Sequence, residues 1–329
     1  MTQTRPGQRP NGFILIIVLG AVLALCALLF GFSQTTRTSL GKADSFYRTE
    51  QAWNAAWGGL QIAIATIRDV NAVSADPQSA KLLTSESTFA IGDVNCTVAI
   101  AEDNGLLNVN RLKNADGQLD RKHVEQFLRL IDVVNRQQKD LPPVAYGIVP
   151  AVIDWVDSDD EITCLPFVQR DNTGAENDDY RAATPPRSCR NGPVDSLEEL
   201  LWIKGMTPES FDRLRPYLTC RGDDKIDINA APAAVVQSLS EQIDSVLAEM
   251  IVQQRKLKPF KTLAELGGVP GMTDNICRDI QNLITVSPAE RFYRVRSQGN
   301  TQDHRCTVEA DLRRNTQAGT VDILQYHEL

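Results

Sequence analysis

GFILIIVLGAVLALCALLFGF, residues 12–32, is the stretch that decides the fold. Twenty residues from Phe13 to Phe32 carry no charge, and as an α-helix such a run rises about 30 Å, the thickness of a bilayer's hydrocarbon layer. Arg5 and Arg9 precede it, with no acid anywhere in residues 1–12. A basic flank in front and a long mixed-charge chain behind orient the N-terminus to the cytoplasm and the body to the far side. A cleaved secretory signal would share the basic start, but its apolar region spans about 7–15 residues and ends in small residues. Here the run is longer, it ends LLFGFSQTTRTS, and the break in composition lies in front of it, between Gly12 and Phe13. The segment therefore reads as an uncleaved anchor.

The helical style continues past the membrane. In RTSLGKADSFYRTEQAWNAAWGGLQIAIATIRD, residues 37–69, Phe46, Trp53, Trp57, Leu60, Ile64 and Ile67 recur mostly every three or four positions, which gathers them on one helical face. A continuous rod through residue 70 is the expectation. Gly41 and the Gly58, Gly59 pair are its weak points, each costing up to about 1 kcal/mol relative to alanine.

Beyond the rod, TFAIGDVNCTVAIAEDNGLLNVN (88–110) alternates, with turn signals at Gly92, Asp93 and at Asn104, Gly105; two strands fit. Asp120 then stands as an N-cap before Val124, Phe127, Leu128, Ile131 and Val134, one apolar helix face. At the far end Phe292, Val295, Val308, Ala310, Leu312, Val321 and Ile323 fall in short alternating runs, with Gly299, Asn300 and Gln317, Ala318, Gly319 near the turns. They read as final strands. The balance of 34 basic to 42 acidic residues, net -8, repels polyanions and argues against a nucleic-acid partner.

Residues 196–219, SLEELLWIKGMTPESFDRLRPYLT, and 262–285, TLAELGGVPGMTDNICRDIQNLIT, align without a gap at an offset of 66. Two copies of one helix-turn-helix hairpin follow, glycine supplying the turn and threonine the next cap. Some nucleic-acid modules present such a hairpin to phosphate, but Glu198, Glu199, Glu209 and Asp212 against Lys204, Arg213 and Arg215 make no basic patch. A structural or protein-binding use remains. Between the copies Ile226-Asp227-Ile228-Asn229 echoes Leu107-Asn108-Val109-Asn110, the asparagines reading as turn or cap residues.

Residues 146–179 hold nine acids, Asp154, Asp157, Asp159, Asp160, Glu161, Asp171, Glu176, Asp178 and Asp179, against Arg170 alone. Such carboxylates either splay into water or converge on a cation, and calcium, with 6 to 8 oxygen ligands, suits convergence. Asp157, Asp159 and Glu161 alternate as donors do in short calcium loops, although the calcium-hand pattern is absent. A transition metal is disfavoured by three scattered histidines and no CxxC. Of seven cysteines, Cys164 and Cys189 bracket the acidic segment; a bridge between them would be worth about 3 kcal/mol in the chain-entropy account. No GxSxG, HExxH, Walker or dinucleotide pattern occurs. The chain reads as no enzyme, with Asp154 and Asp157 leaving a membrane-anchored periplasmic hydrolase as the enzymatic alternative.

Gly12 and Phe13 ahead of an apolar helix resemble the type IV prepilin class, whose leader is cut after glycine and whose new N-terminal phenylalanine is methylated. Most pilin-like subunits carry glutamate at the fifth mature position, to pair with a neighbour's ammonium inside lipid. Here that position is Ile17. Lack of this glutamate, together with EDNGLLNVN (102–110), IDWVDSDDE (153–161), GAENDDY (174–180), SLEELLWIKGMT (196–207) and IDINAAPAAVV (226–236), is similar to the large minor pseudopilin K family of the type II secretion pathway. The resemblance implies an α+β fold, a pilin-like α/β domain with a large helical domain inserted. The implied division is a prepilin leader over 1–12, the membrane-spanning and amphipathic helix over 13–70, pilin-like parts over 71–114 and 286–329, and the insertion over 115–285. It further implies a Gram-negative inner-membrane protein with a periplasmic body at the tip of a pseudopilus. Its partners would be minor pseudopilins I and J, the assembly platform, prepilin peptidase, and the secretin and exported substrates. Calcium would be held by Asp157, Asp159, Glu161, Glu176 and Asp179. The alternative is a minor tip subunit of a type IV pilus or competence filament.

Overall fold

In the computed structural model the described residues are 11–69, 83, 85–114, 116–169 and 171–328; most of the expected leader, residues 1–10, lies outside them, as do 70–82, 84, 115, 170 and 329. Helix α1 (Asn11–Arg68) runs without a break for 58 residues. It is followed by β1 (Ser87–Ile91), β2 (Val94–Glu102) and the short β3 (Leu107–Asn108). A helical body comes next, with α2 (Arg121–Gln137), α3 (Ile148–Val156), α4 (Asn177–Arg181), α5 (Pro208–Leu214) and β4 (Leu218–Thr219). It continues through β5 (Ile226–Asp227), α6 (Ala233–Ser238), α7 (Ser245–Leu257), α8 (Asp274–Ile280) and β6 (Ile284–Thr285). Strands β7 (Glu290–Asn300), β8 (Arg305–Asn315) and β9 (Val321–Glu328) close the chain.

The lower half of α1 is long and apolar enough to cross a membrane, and its side chains from Leu15 to Phe32 are exposed. From Ala52 upward one face is buried, through Ala52, Ala55, Ala56, Leu60, Ala63 and Ile67. Of the stripe expected from spacing, Leu60, Ile64 and Ile67 are buried, while Phe46 is exposed and Trp53 and Trp57 are only half-buried, alanines taking their place on the lower part of the face. The reason is the close approach of helix to sheet. A Cβ on Gly59 would lie 2.3 Å from Ser297 Oγ and 2.4 Å from Cys96 Sγ, so the suspected weak point in the helix is what lets it dock. Trp57 instead packs edge-on against Tyr326, 5.3 Å between ring centroids.

Among the described residues the main sheet is antiparallel in the order β1-β2-β7-β8-β9. In β7 the inward positions Tyr293, Val295, Ser297 and Gly299 alternate with outward ones, as a pleated strand requires. Gly299 sits inside β7, next to its end and just ahead of the turn, and glycine is needed there because a Cβ would strike the Ala52 carbonyl oxygen at 2.0 Å. The turn falls at 301–304, closed by Thr301 N–H donating to the His304 carbonyl at 2.9 Å. The expected turn after β8 does occur, with Gly319 at φ +68°.

Because β2 pairs with β7, everything between Glu102 and Glu290 is an insertion into one sheet. It carries its own core, from Leu107 through Phe127, Ile153 and Leu200 to Ile284, while the sheet and α1 share a second one. The inserted core begins ahead of position 115, because β3 pairs in parallel with β4 and buries Leu107. Ser45 meets His304 Nε2 at 3.1 Å near the membrane-proximal end of the sheet, and Arg314 reaches the Arg68 carbonyl at the far end. Glu290 lies opposite Asn315, so the helical body is seated on the membrane-distal end.

The duplication is real, with one change: the first helix of each hairpin is a 3-10 turn, Leu197–Trp202 and Leu263–Gly268. Gly205 and Gly271 adopt φ of +84° and +87°, and Thr207 and Thr273 cap α5 and α8. The asparagines do more than turn the chain. Asn110 accepts from Val194 N–H and donates to the Val194 and Cys220 carbonyls. Asn229 repeats this with Phe260 and Val286, each partner displaced by the same 66 positions.

Candidate metal centre

Helix α3 is apolar and almost wholly buried, and it delivers Asp154 in its last turn and Asp157 as its C-cap. Asp154 is fully buried; one oxygen accepts from Thr163 N–H at 2.9 Å and Oδ2 has no partner. Gly174 allows the loop to close over it, since a Cβ there would lie 2.0 Å from Asp154 Oδ2. Two residues on, Glu176 occupies the N-cap position of α4 without making the cap bond. It is 4% exposed, and neither carboxylate oxygen has a hydrogen-bond partner.

Among the described residues, Asp157, Asp159 and Glu176 each place an oxygen within 4.8 Å of the others. Asp157 is buried with Oδ1 unpaired, and Asp159 accepts from Glu161 N–H at 2.9 Å. Lys113 Nζ donates to Asp157 and lies 3.4 Å from Asp159. Asp160 stands outside, accepting from Asn177 and Asn191 Nδ2. Burial, then repulsion from Asp154, Asp157 and Asp160, pushes the Glu176 carboxyl up to about 7. Burial likewise lifts Asp154 to about 6 and raises Asp157 despite its lysine. Orphaned buried oxygens on several converging carboxylates are what a bound hard cation would satisfy.

Of the five expected ligands the fold brings three together. Glu161 is exposed and engages the site only through its backbone N–H, and Asp179 turns away to pair with Lys204 at 2.7 Å. All seven cysteines are free, so the expected Cys164–Cys189 bridge is not formed. Cys164 is exposed in a β-bridge with Thr173, whereas Cys189 is buried against the Asp154 carbonyl. Sequence reasoning left out Asp154 as a wall of the site, and Lys113 altogether; its position in the chain, 44 residues before Asp157, carries no signal. Gly12 and Phe13 lie at the start of α1.

The fold joins this site to the first hairpin. Trp155 and Tyr180 stack edge-on, 5.0 Å between centroids, and the Tyr180 hydroxyl accepts from Lys204 N–H at 3.3 Å. Elsewhere in the body, the EDNG stretch ties the insertion to the sheet. Asn104 bonds the backbone of Glu290, Phe292 and Asp227, while Arg294 bridges to Asp103 at 2.9 Å.

Two family models, both described as Type II secretion system (T2SS), protein K, match residues 105–223 and 226–287, together more than half of the chain. The chain is similar to type II secretion system protein K of Pseudomonas aeruginosa, at 24% identity over 332 residues, covering 94% of this chain and 90% of that protein. The Klebsiella pneumoniae protein of the same name is 24% identical over 194 residues, 56% of each chain. A chain in the crystal structure of the GspK-GspI-GspJ complex from enterotoxigenic Escherichia coli shares the fold. It has a TM-score of 0.63 and 17% identity, covering 88% of this chain and 99% of that one. The anchor-like helix, the interrupted sheet and the matched insertion agree: the chain belongs to the type II secretion system protein K family.

Proposed function

We propose that this chain is the minor pseudopilin that caps the tip of the type II secretion pseudopilus, assisting its initiation and the export of folded periplasmic proteins. One observation carries the reading: the inserted body sits on the membrane-distal end of the pilin-like half, where a following subunit would stack. Ile17, exposed on the membrane helix, supports it, since it offers no carboxylate to a next subunit's ammonium. The similar Escherichia coli chain occurs with GspI and GspJ, and the corresponding minor pseudopilins I and J are the partners we assign. The N-terminus is cytoplasmic and the anchor lies in the inner membrane, where prepilin peptidase cuts after Gly12 and Phe13 is methylated. The role is structural and not enzymatic. Labelling assembled pseudopili with an antibody against the inserted body tests it. Label at one end is expected, and label along the length would overturn the tip assignment. Mass spectrometry of the extracted protein should show a mature chain beginning at N-methylated Phe13; retention of residues 1–12 in cells with active peptidase would refute processing.

Calcium is the second part of the proposal. The residues fit the ion: Asp157, Asp159 and Glu176 would hold it with Asp154 behind them, and the unpaired oxygens of Asp154, Asp157 and Glu176 are the reason. The ion would supply the positive charge that Glu176 and Asp154 lack and would stabilise the folded loop by linkage. A calcium-dependent rise in Tm, lost in Glu176→Gln, is the expected result; the same Tm with and without the ion would overturn it.

A further inference from the structure

We propose that the Lys113 ammonium is a tethered stand-in cation that competes with the metal for Asp157 and Asp159, a proposal that rests on the calcium reading. Its Nζ donates to Asp157 Oδ2 and lies 3.4 Å from Asp159 Oδ2, so it occupies oxygens that a metal would want. The side chain is 20% exposed, held against the site and not waving in solvent. Its backbone is pinned by a β-bridge to Leu119, by Asp120 N–H on the Leu112 carbonyl at 2.9 Å and by Asn114 N–H on the Gln118 carbonyl at 2.7 Å. Only the side chain is free to move.

It has somewhere to go. Lys113 also lines a 280 Å³ cavity with Arg111, Asn114, Asp120, Asp223 and Asp224, where the three carboxylates outnumber the one other cation. Asp120 already caps α2 and pairs with His123. Asp223 and Asp224 are exposed, and their carboxylates hold no ion pair among the described residues. Rotation about its stem therefore carries the ammonium from one acidic neighbourhood to the other. A divalent ion among Asp157, Asp159 and Glu176 would repel the ammonium and drive that rotation, which frees both Oδ2 atoms. In the absence of metal, the lysine holds the loop's first two carboxylates together and keeps the site from opening. Affinity is then set below what the carboxylates alone would give, and a folded site is ready before the ion arrives.

The test is a calcium titration of chelator-stripped, detergent-solubilised full-length protein, read by calorimetry and by Tm. Lys113→Met should bind calcium about tenfold more tightly, the effect of removing one positive charge beside a divalent ion in partly buried surroundings. It should also melt lower than wild type in chelator, so its calcium-induced rise in Tm is larger. Equal or weaker binding by Lys113→Met overturns the proposal, because a lysine that merely orients Asp157 would weaken binding when removed. The surface pair Asp223→Asn with Asp224→Asn removes the second resting place without touching the loop. It should weaken binding when Lys113 is present and leave Lys113→Met unaffected; the same change in both backgrounds overturns the displacement step. Binding by neither wild type nor Lys113→Met overturns the metal reading itself, and this proposal with it.

Discussion

Withdrawing the cation while raising the pH gives a prediction whose sign runs against habit. Glu176 is lifted from an ordinary 4.5 to about 7, and Asp154 from 3.8 to about 6, burial being the largest cause for each. A carboxyl whose folded pKa exceeds its unfolded one keeps its proton in the native state at pH values where the unfolded chain has lost it. Its stabilising contribution is complete below the unfolded pKa and disappears as pH climbs through the folded one. In chelator the two groups should thus lower stability from about pH 4, where Asp154 begins to contribute, to about pH 7, where Glu176 finishes. For Glu176 alone the rise from 4.5 to about 7 corresponds to a loss on the order of 3 kcal/mol. Saturating calcium should flatten the slope, because the ionised form then has a partner. Glu176→Gln keeps the shape and removes the charge, so in chelator at about pH 8 it should be more stable than wild type by an amount on the order of 2–3 kcal/mol. Urea unfolding of the solubilised protein, followed by tryptophan fluorescence with Trp155 stacked on Tyr180 beside the site, measures both. A chelated wild type that gains stability over this range would refute the reasoning, as would a Glu176→Gln protein less stable than wild type in chelator at alkaline pH.

Two further perturbations test the architecture. Gly59→Ala should destabilise by about 1–3 kcal/mol through overpacking, since its Cβ meets Ser297, Cys96 and Val98 at 2.3–2.8 Å. Gly41→Ala, with nothing within 4 Å, should instead stabilise the helix by up to about 1 kcal/mol; equal Tm changes for the two would contradict the docking account. Asn229→Ala strips the backbone of Phe260 and Val286 of their partner and should cost about 2–3 kcal/mol in urea unfolding, with Asn110→Ala costing a similar amount. A loss below about 0.5 kcal/mol at either position would show that the duplicated clamp does not hold the body together.

Much of the candidate site was visible in the acidic run, because so many carboxylates in a short loop demand a cation or water. Which of them converge was not. Asp157 follows directly from the end of α3, but Glu176 arrives only because Gly174 lets a later segment close on Asp154. Glu161 and Asp179 have the right chemistry and the wrong direction. Lys113 belongs to the site solely through the β3 turn that follows the sheet, a contact across 44 positions that no local pattern encodes.

The sequence by itself determined the anchor, the rod, the strand segments and the duplicated hairpin, since each depends on the periodicity or punctuation of neighbouring residues. Hydrophobic length, alternation and glycine turns are local properties of a chain. Tertiary structure decided the rest: which face of α1 is buried, that Gly299 belongs to a strand, that Cys164 and Cys189 stay apart, and that three carboxylates and one lysine meet. Those outcomes depend on close approach between segments far apart in the chain. Ala52, Ala56 and Gly59 of α1 lie against Ser297 and Gly299 of β7 because the close approach at these positions leaves no room for anything larger. The same approach sets the sheet's direction on α1 and so carries the inserted body to the membrane-distal end.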